Sequence, residues 1–274
     1  MPDYTSLNWT FSSLACPSED LNTIVEIARS HGLDAIELRL AAGRADLPDY
    51  FSENFGSPAQ LATWFRQQGV RVCALNTSLK LLANTAAERE AFLAFIPWAE
   101  ALAVPYLRVF DGGTVETGMD ASSQRHAIET LNWWYELKAN NRWATDIMIE
   151  THDALVHSDS VIALNKSFGK PVPILWDTHH TWKKAAEPIA KTWNTLKHQI
   201  VHVHIKDSIS RPSARHPFTY VQLGDGEFPI GHTLSLLDQE RFSGYVSIEW
   251  ERKWHPYLQP AGQALQRARD LGWW

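Results

Sequence analysis

Eight short segments of β-strand character recur along this chain, and stretches with helical periodicity lie between them. Their average spacing of about 34 residues is typical of repeated strand–helix units. Parallel strands need a crossover connection, which is usually a helix, so the alternation predicts a parallel sheet covered by helices. The predicted strands are Ser6–Ser12, Asp34–Leu40, Val70–Asn76, Tyr106–Phe110, Asp146–Glu150, Val172–Asp177, Ile200–Lys206 and Tyr245–Glu251.

Residues typical of helix ends lie between the predicted strands. Ser57 and Thr85 each precede a Gln or Glu by three residues, which is the pattern of a capping box, and Thr85 is expected to open a helix that runs to Ala99. A glycine lies between the end of a predicted helix and the start of the next strand at four places. Glycine tolerates the left-handed backbone conformation that follows many helices because it has no Cβ. These glycines are Gly32, Gly69, Gly169 and Gly244.

Eight such units with no Pro- or Ser-rich linker predict one closed (β/α)8 barrel over residues 1–274. The length agrees, because single barrels of this type contain about 250 residues. A doubly wound open sheet is the alternative. That fold normally carries a glycine-rich fingerprint after its first strand, and Ser13–Cys16 contains no glycine.

The charge balance argues against a nucleic-acid partner. Thirty-one acidic residues oppose 25 basic ones, the formal charge is −6 with neutral His, and no basic run exceeds two residues. No segment approaches the roughly 18 apolar residues of a membrane span, and Met1-Pro2-Asp3-Tyr4 lacks the features of a signal peptide. The two cysteines, Cys16 and Cys73, fit a reducing compartment. We therefore expect a cytoplasmic protein without membrane or nucleic-acid partners.

The last four predicted strands each carry potential metal ligands at or near their ends. In the seventh, His202, His204 and Lys206 share one face, and the apolar residues between them suit packing against helices. Helices cover the outside of a barrel, so the polar face points inward, and the active site lies where the strands end. Four inward-facing residues, one from each strand, should converge there: Glu150, Asp177, His204 and Glu249.

This set of three carboxylates and one imidazole suits a divalent cation such as Mn²⁺, Mg²⁺, Co²⁺ or Zn²⁺. Buried charges are costly unless they are paired or bound to a metal. For any one of the four residues, hydrogen bonding inside the barrel is an adequate alternative. The presence of all four on consecutive strands favours a metal site.

The ordered segments resemble the xylose isomerase-like barrel superfamily, which includes sugar and sugar-phosphate isomerases and epimerases, inosose dehydratases and zinc-dependent apurinic endonucleases. The matching segments extend over nearly the whole chain and are GLDAIELR (32–39), IE (149–150), DTHH (177–180), HVHIKD (202–207), LGDGEFP (223–229) and IEWERKWHP (248–256). The resemblance implies that Glu150, Asp177, His204 and Glu249 hold one divalent metal ion. It also implies that Glu150 and Glu249 exchange protons with a carbon next to a carbonyl, through an enediolate that the metal stabilises.

Two residues beside these ligands are candidates for substrate binding. His180 lies three residues after Asp177, at a position that the resemblance assigns to an extra metal ligand or a substrate contact. Lys206 shares the inward face with His204 and could hold a hydroxyl or carboxylate of the substrate. A salt bridge from Lys206 to a carboxylate on an adjacent strand is the alternative.

Four more candidates for substrate binding are less specific. Glu37 and Arg39 share a face of the second strand, where an ion pair at the barrel mouth is the alternative. Trp9 could stack on a sugar face, although most tryptophans are core or interface residues. Arg215, in the long loop after the seventh strand, could bind a phosphate or carboxylate or could be solvated.

The function that these observations favour is a metal-dependent isomerase or epimerase of a sugar, sugar phosphate or sugar acid. The alternatives are a dehydratase of the inosose type and a sugar-binding paralogue without turnover. A nuclease of this superfamily carries additional histidines on strands two to four, where this chain has Glu37, Asn76 and Asp111. We expect a small-molecule substrate, and the aromatic-rich helices are compatible with a homo-oligomer.

Overall fold

The computed structural model describes residues 4–274. The first three residues, on which the expected lack of a signal peptide partly rests, lie outside the described residues. All eight predicted strands are present in one parallel sheet, and a short antiparallel hairpin follows the seventh of them. The strands are β1 (Asn8–Phe11), β2 (Ala35–Leu38), β3 (Arg71–Lys80), β4 (Tyr106–Phe110), β5 (Asp146–Glu150), β6 (Ile174–Asp177), β7 (Ile200–Ile205), β8 (Ser208–Ile209), β9 (Thr219–Tyr220) and β10 (Tyr245–Ile248).

The order of the strands in the sheet is β1-β10-β7-β6-β5-β4-β3-β2, so β1 and β2 form its two ends. These ends meet through a parallel bridge between Ser12 and Glu37. The Thr10 hydroxyl also donates a hydrogen bond to the Ala35 carbonyl at 2.9 Å. The sheet therefore curls into a nearly closed barrel, which confirms the predicted (β/α)8 fold over the open-sheet alternative.

Helices surround the barrel and pack their apolar faces against it. In α1, for example, Leu21, Ile24, Val25 and Ala28 are buried. None of the helices in residues 4–274 is long and apolar enough to span a bilayer. A short 3-10 helix covers Ser13–Ala15, and the α-helices are α1 (Leu21–Ser30), α2 (Leu47–Phe55), α3 (Pro58–Gln68), α4 (Ala86–Leu93), α5 (Ile96–Ala101), α6 (Ala121–Asn141), α7 (Ser158–Phe168), α8 (Thr178–Lys183), α9 (Ile189–Leu196), α10 (Ile230–Gln239) and α11 (Ala261–Asp270).

The helix ends follow the sequence signals with two exceptions, the division of one predicted helix and the role of Gly244. Ser57 caps α3, and Thr85 forms a complete capping box with Glu88 at the start of α4. The helix that was expected to run to Ala99 is instead divided into α4 and α5. Pro97 lies in the first turn of α5, where its missing N–H is tolerated, whereas in a helix interior it would remove a hydrogen bond.

Two of the predicted glycines serve different purposes. Gly69 ends α3 in the left-handed conformation, with φ +68°, as the sequence predicted. Gly244 has no positive φ, and a Cβ at this position would collide with the Val201 carbonyl of the neighbouring strand. Gly244 is therefore needed for close approach of the backbone and not for a left-handed turn.

The strand ends place the polar residues at one end of the barrel. Glu150 and Asp177 are the last residues of β5 and β6. β7 ends at Ile205 and β10 at Ile248, earlier than predicted, so Lys206 and Glu249 lie just beyond their strands. The Glu249 N–H still donates to the Ile205 carbonyl at 3.1 Å, so this segment stays aligned with β7.

Candidate metal centre

The structure brings the four predicted ligands together at the carboxyl end of the barrel. Glu150, Asp177, His204 and Glu249 each offer one ligand atom, and all four atoms lie within 4.8 Å of one another. All four side chains are buried. Ligand atoms lie about 2 Å from a transition metal, so the cluster has nearly the dimensions of a coordination shell.

The imidazole of His204 points its Nδ1 atom into this cluster. Nδ1 lies 3.2 Å from Glu249 Oε2, 3.5 Å from Glu150 Oε1 and 3.9 Å from Asp177 Oδ2. The opposite nitrogen, Nε2, lies 3.0 Å from Glu37 Oε2. A carboxylate behind a histidine in this way fixes the orientation of the ring and directs the other nitrogen at the cluster, where that nitrogen can bind a metal once it has no proton.

Within residues 4–274, three buried atoms of the cluster make ion-pair contacts but no hydrogen bond of standard geometry. They are Glu150 Oε2, Asp177 Oδ2 and His204 Nδ1. Charged side chains lie near each of these atoms: Arg108 is 3.3 Å from Glu150 Oε2, Lys206 is 2.7 Å from Asp177 Oδ2, and Glu249 is 3.2 Å from His204 Nδ1. A cation at the centre of the cluster could bind all three atoms directly, with loss of any proton on His204 Nδ1. The donor set, three carboxylates and an imidazole, suits a divalent ion, so the residues present fit the metal that the resemblance implies.

Lys206 supplies positive charge at the edge of the cluster. Its Nζ atom lies 2.7 Å from Asp177 Oδ2 and donates to Glu249 Oε2 at 2.5 Å and to Glu251 Oε1 at 2.6 Å. The side chain is almost completely buried. The structure therefore shows the alternative to a substrate contact, which was a salt bridge from Lys206 to carboxylates on adjacent strands.

The charges in this pocket shift one another's pKa values. Burial raises the pKa of Asp177 to about 6. The neighbouring carboxylates Glu249 and Glu150 also raise this pKa, whereas the positive charge of Lys206 lowers it. Burial also opposes ionisation of Glu249, but His204 and Lys206 hold the pKa of Glu249 well below its usual value. Burial disfavours the charged form of His204, yet Glu249 and Glu37 raise the pKa of His204 well above its usual value. The carboxylates thus favour a positive charge on His204, and His204 and Lys206 favour a negative charge on Glu249.

Arg108, which the sequence analysis did not select, reaches the cluster from β4. Its Nε atom lies 3.3 Å from Glu150 Oε2, and its side chain is buried. The sequence could have indicated Arg108 as a site residue, because it is the one charged residue within the otherwise apolar strand Tyr106–Phe110. A charge in the middle of such a strand must point into the barrel and meet a partner there.

Two imidazoles lie next to Glu150. The Asp177 carboxylate accepts the His180 backbone N–H at 2.8 Å, which caps α8, and His180 Nδ1 lies 3.1 Å from Asp177 Oδ2. The His180 ring also meets the His152 ring edge to face, with 4.6 Å between centroids. Glu150, His152 and His180 offer ligand atoms that all lie within 4.8 Å of one another. His152 was missed as a site residue, although it follows Glu150 by two positions.

Glu37 does not reach a substrate-accessible surface. Its Oε2 atom lies 2.6 Å from His202 Nε2 as well as 3.0 Å from His204 Nε2, and Asn76 Nδ2 donates to Oε1 at 2.7 Å. The side chain is fully buried. The expected substrate contact and the alternative ion pair with Arg39 are both corrected by this arrangement. Glu37 supports the histidines of β7 from behind.

Within residues 4–274, the remaining candidates make no direct contact with the four-residue cluster, although Arg39 is close enough to interact electrostatically with Glu150 and Glu249. Arg39 is half-buried at the barrel mouth, where it donates to the Ser78 hydroxyl at 2.9 Å. Arg215 is exposed, and its guanidinium lies 5.4 Å from the Trp254 ring centroid. Trp9 is not at the site. It stacks on Trp273 in the outer layer with 5.3 Å between centroids, which corrects the expectation of a sugar contact.

The parallel barrel and the residues at its carboxyl end define a (β/α)8 protein with a candidate metal centre. The chain belongs to the xylose isomerase-like TIM barrel family, whose model matches residues 25–271. A search of curated proteins found no match.

Solved structures share this fold over almost their whole length. The probable 3-DHS dehydratase AsbF of Bacillus anthracis, involved in petrobactin synthesis, is 17% identical, covers 97% of this chain and 98% of its own, and has a TM-score of 0.78. The IOLI protein with a bound zinc atom is 21% identical over 96% of each chain, with a TM-score of 0.74. The 3-keto-D-glucoside 4-epimerase YcjR of E. coli is 14% identical over 97% of this chain and 98% of its own, with a TM-score of 0.71.

Proposed function

We propose that this protein is a divalent-metal-dependent isomerase or epimerase that removes a proton next to a carbonyl of a sugar or sugar derivative. The observation that carries this proposal is the buried cluster of four ligand atoms, because three carboxylates and an imidazole on four strands or strand ends all direct an atom to one point. The epimerase, dehydratase and zinc-bound structures of the same fold support the same class of chemistry.

The proposed ligands are Glu150, Asp177, His204 and Glu249. A divalent ion bound there would stabilise negative charge that develops on oxygen atoms of the substrate. Mn²⁺, Mg²⁺, Co²⁺ and Zn²⁺ are all compatible with this donor set. Glu37 would keep Nδ1 of His204 directed at the ion, and Lys206 would balance the excess of carboxylate charge.

Glu150 and Glu249 are the proposed acid–base groups. They extend from β5 and from the segment after β10, and β6 and β7 lie between these strands. The two carboxylates therefore approach the centre of the site from opposite sides. One can remove a proton from a carbon and the other can return a proton to the opposite face, which is the requirement for epimerisation.

Dehydration is the second candidate, and the pair of imidazoles favours it. After a proton has been removed, loss of water needs an acid that protonates the departing hydroxyl group. His152, which is partly exposed, and His180 lie beside Glu150 on one side of the site. In an epimerase, by contrast, only the two carboxylates need to act on the substrate.

The proposal can be tested by metal analysis and by isotope exchange. Purified protein should bind about one equivalent of a divalent ion, and incubation in D₂O with a panel of sugars and sugar acids should introduce deuterium beside a carbonyl. Mass spectrometry of the products separates the two candidates, because dehydration lowers the mass by one water and epimerisation does not. Protein that binds no divalent ion would refute the proposal.

A further inference from the structure

Arg39 is a half-buried arginine beside the candidate metal centre that has no carboxylate partner. Its Nη1 atom donates to the Asn76 carbonyl at 3.4 Å and its Nη2 atom to the Ser78 hydroxyl at 2.9 Å. In residues 4–274, no carboxylate lies within salt-bridge distance of its guanidinium. A guanidinium withdrawn from water loses hydration, and two neutral acceptors compensate for this only in part.

Arg39 and Arg108 lie on opposite sides of strand β3. Arg39 follows β2 and Arg108 belongs to β4, whereas β3 lies between them in the sheet. Arg108 Nη1 donates to the Thr77 carbonyl at 3.1 Å. The two guanidiniums together therefore donate hydrogen bonds to three consecutive residues of β3: Arg39 to Asn76 and Ser78, and Arg108 to Thr77.

The two positive charges are close enough to repel each other. Burial, with the charge of Arg108 adding to it, lowers the pKa of Arg39 to about 10, although Glu150 and Glu249 act in the opposite direction. Arg39 therefore remains charged at neutral pH. The charge of Arg108 is met by Glu150, at 3.3 Å, but that of Arg39 is not met by any direct ion pair.

We propose that Arg39, with Arg108 behind it, binds an anionic oxygen group of the substrate while the substrate's hydroxyl and carbonyl oxygens face the four-ligand cluster. The substrate class is then a sugar acid or a sugar phosphate, and neutral sugars are excluded. This inference rests on the proposed function. The planar guanidinium fork is well matched to a carboxylate or phosphate, which it can bind through two parallel hydrogen bonds.

The test measures binding of three open-chain six-carbon probes that carry different charged groups. D-Glucitol is neutral, D-gluconate carries a carboxylate and D-glucitol 6-phosphate carries a phosphate. Calorimetry gives their dissociation constants for the full chain, with and without Mn²⁺. Arg39→Gln removes the charge, and Arg44→Gln is the matched control, because Arg44 lies in the same loop but already pairs with Asp46 and Glu53.

We expect the wild type to bind at least one of the anionic probes about tenfold or more tightly than glucitol. Arg39→Gln should lose most of this preference without weakening glucitol binding, and Arg44→Gln should retain it. The anion with the larger Arg39-dependent gain identifies the carboxylate or the phosphate as the group on the substrate. Equal binding of all three probes by the wild type, or an unchanged preference in Arg39→Gln, would overturn the inference.

Two further outcomes separate this inference from the proposed function. If neutral sugars exchange deuterium in the presence of metal and Arg39→Gln changes no dissociation constant, the anion site fails and the function stands. If no compound exchanges but the anion preference disappears in Arg39→Gln, the anion site stands and the function fails. If the Arg39→Gln variant does not fold, Arg39→Lys replaces it.

Loss of the planar guanidinium should then weaken binding of the anionic probes severalfold. An unchanged preference for the anionic probes over glucitol would overturn the inference.

Discussion

The Glu37 carboxylate lies behind the His204 imidazole, with 3.0 Å between Glu37 Oε2 and His204 Nε2. Glu37 is itself held by His202 and Asn76, and it is fully buried. The orientation of the His204 ring is therefore determined by a rigid support, and its Nδ1 atom faces the three carboxylates. Such supporting groups set the affinity of a metal site as well as its geometry.

Glu37→Gln should weaken the binding of Mn²⁺ or Zn²⁺ by about tenfold to a hundredfold, because the amide is a weaker acceptor for the His204 ring. Metal titration by calorimetry measures the effect. Glu53→Gln is the control, since Glu53 is exposed and pairs with Arg44, so the metal affinity of this variant should equal that of the wild type. Unchanged affinity in Glu37→Gln would show that Glu37 does not support a metal ligand.

His204→Ala and His202→Ala should differ in their effect on the metal. His204→Ala removes the imidazole that faces the carboxylates, so most of the metal should be lost. His202→Ala leaves His204 and Glu37 in place, so it should reduce stability more than metal content. Elemental analysis after dialysis measures the bound metal. Equal metal loss in both variants would show that His204 is not the ligand of the pair.

Lys206→Met should destabilise the metal-free protein by about 3–5 kcal/mol, because it leaves buried carboxylates without their cation. Added Mn²⁺ should recover much of this loss, so the metal-induced rise in melting temperature should be larger than in the wild type. Lys197→Met is the control and should cost about 1 kcal/mol or less, since Lys197 and Glu240 form a partly exposed pair. A loss that Mn²⁺ does not reduce would contradict the prediction.

Glu150→Gln and Glu249→Gln should each lower turnover by about a hundredfold or more, even with excess metal, because an amide cannot accept a proton from carbon. Deuterium exchange should persist in one variant and disappear in the other, since one carboxylate removes the proton and its partner delivers it. Rates are measured on the substrate that the D₂O screen identifies. Restoration of both variants by excess Mn²⁺ or Co²⁺ would show that the glutamates are ligands only.

Metal affinity should increase with pH. The carboxylates around His204 raise its pKa well above the usual value, so at neutral pH the metal-free imidazole holds a proton that an incoming metal must displace. Below that raised pKa, affinity should fall by up to about tenfold for each unit of pH. Titrations with Mn²⁺ at pH 6, 7 and 8 measure the slope. Affinity independent of pH would mean that no proton leaves the site on binding.

The sequence by itself determined the barrel and the four candidate ligands. Eight predicted strands that alternate with helices are the number needed for a barrel. Alternate residues of a strand point to opposite faces, which identifies the side chains that point inward. Glu150 and Asp177 end their strands where the sequence placed them, and His204 and Glu249 lie on the expected face. These inferences needed only local periodicity and the rule that parallel strands end on the same side of a sheet.

The tertiary structure alone decided what surrounds the ligands. Glu37 and His202 are 165 residues apart in sequence, and they meet because both point into the interior of one closed barrel. The three carboxylates around Lys206 likewise come from two separate segments of the chain, Asp177 from β6 and Glu249 and Glu251 from the segment after β10. Trp9 stacks on Trp273 near the far end of the sequence. Local periodicity assigns a side chain to a face of its strand. Its partner on that face depends on the order in which the strands close the barrel, which no local pattern encodes.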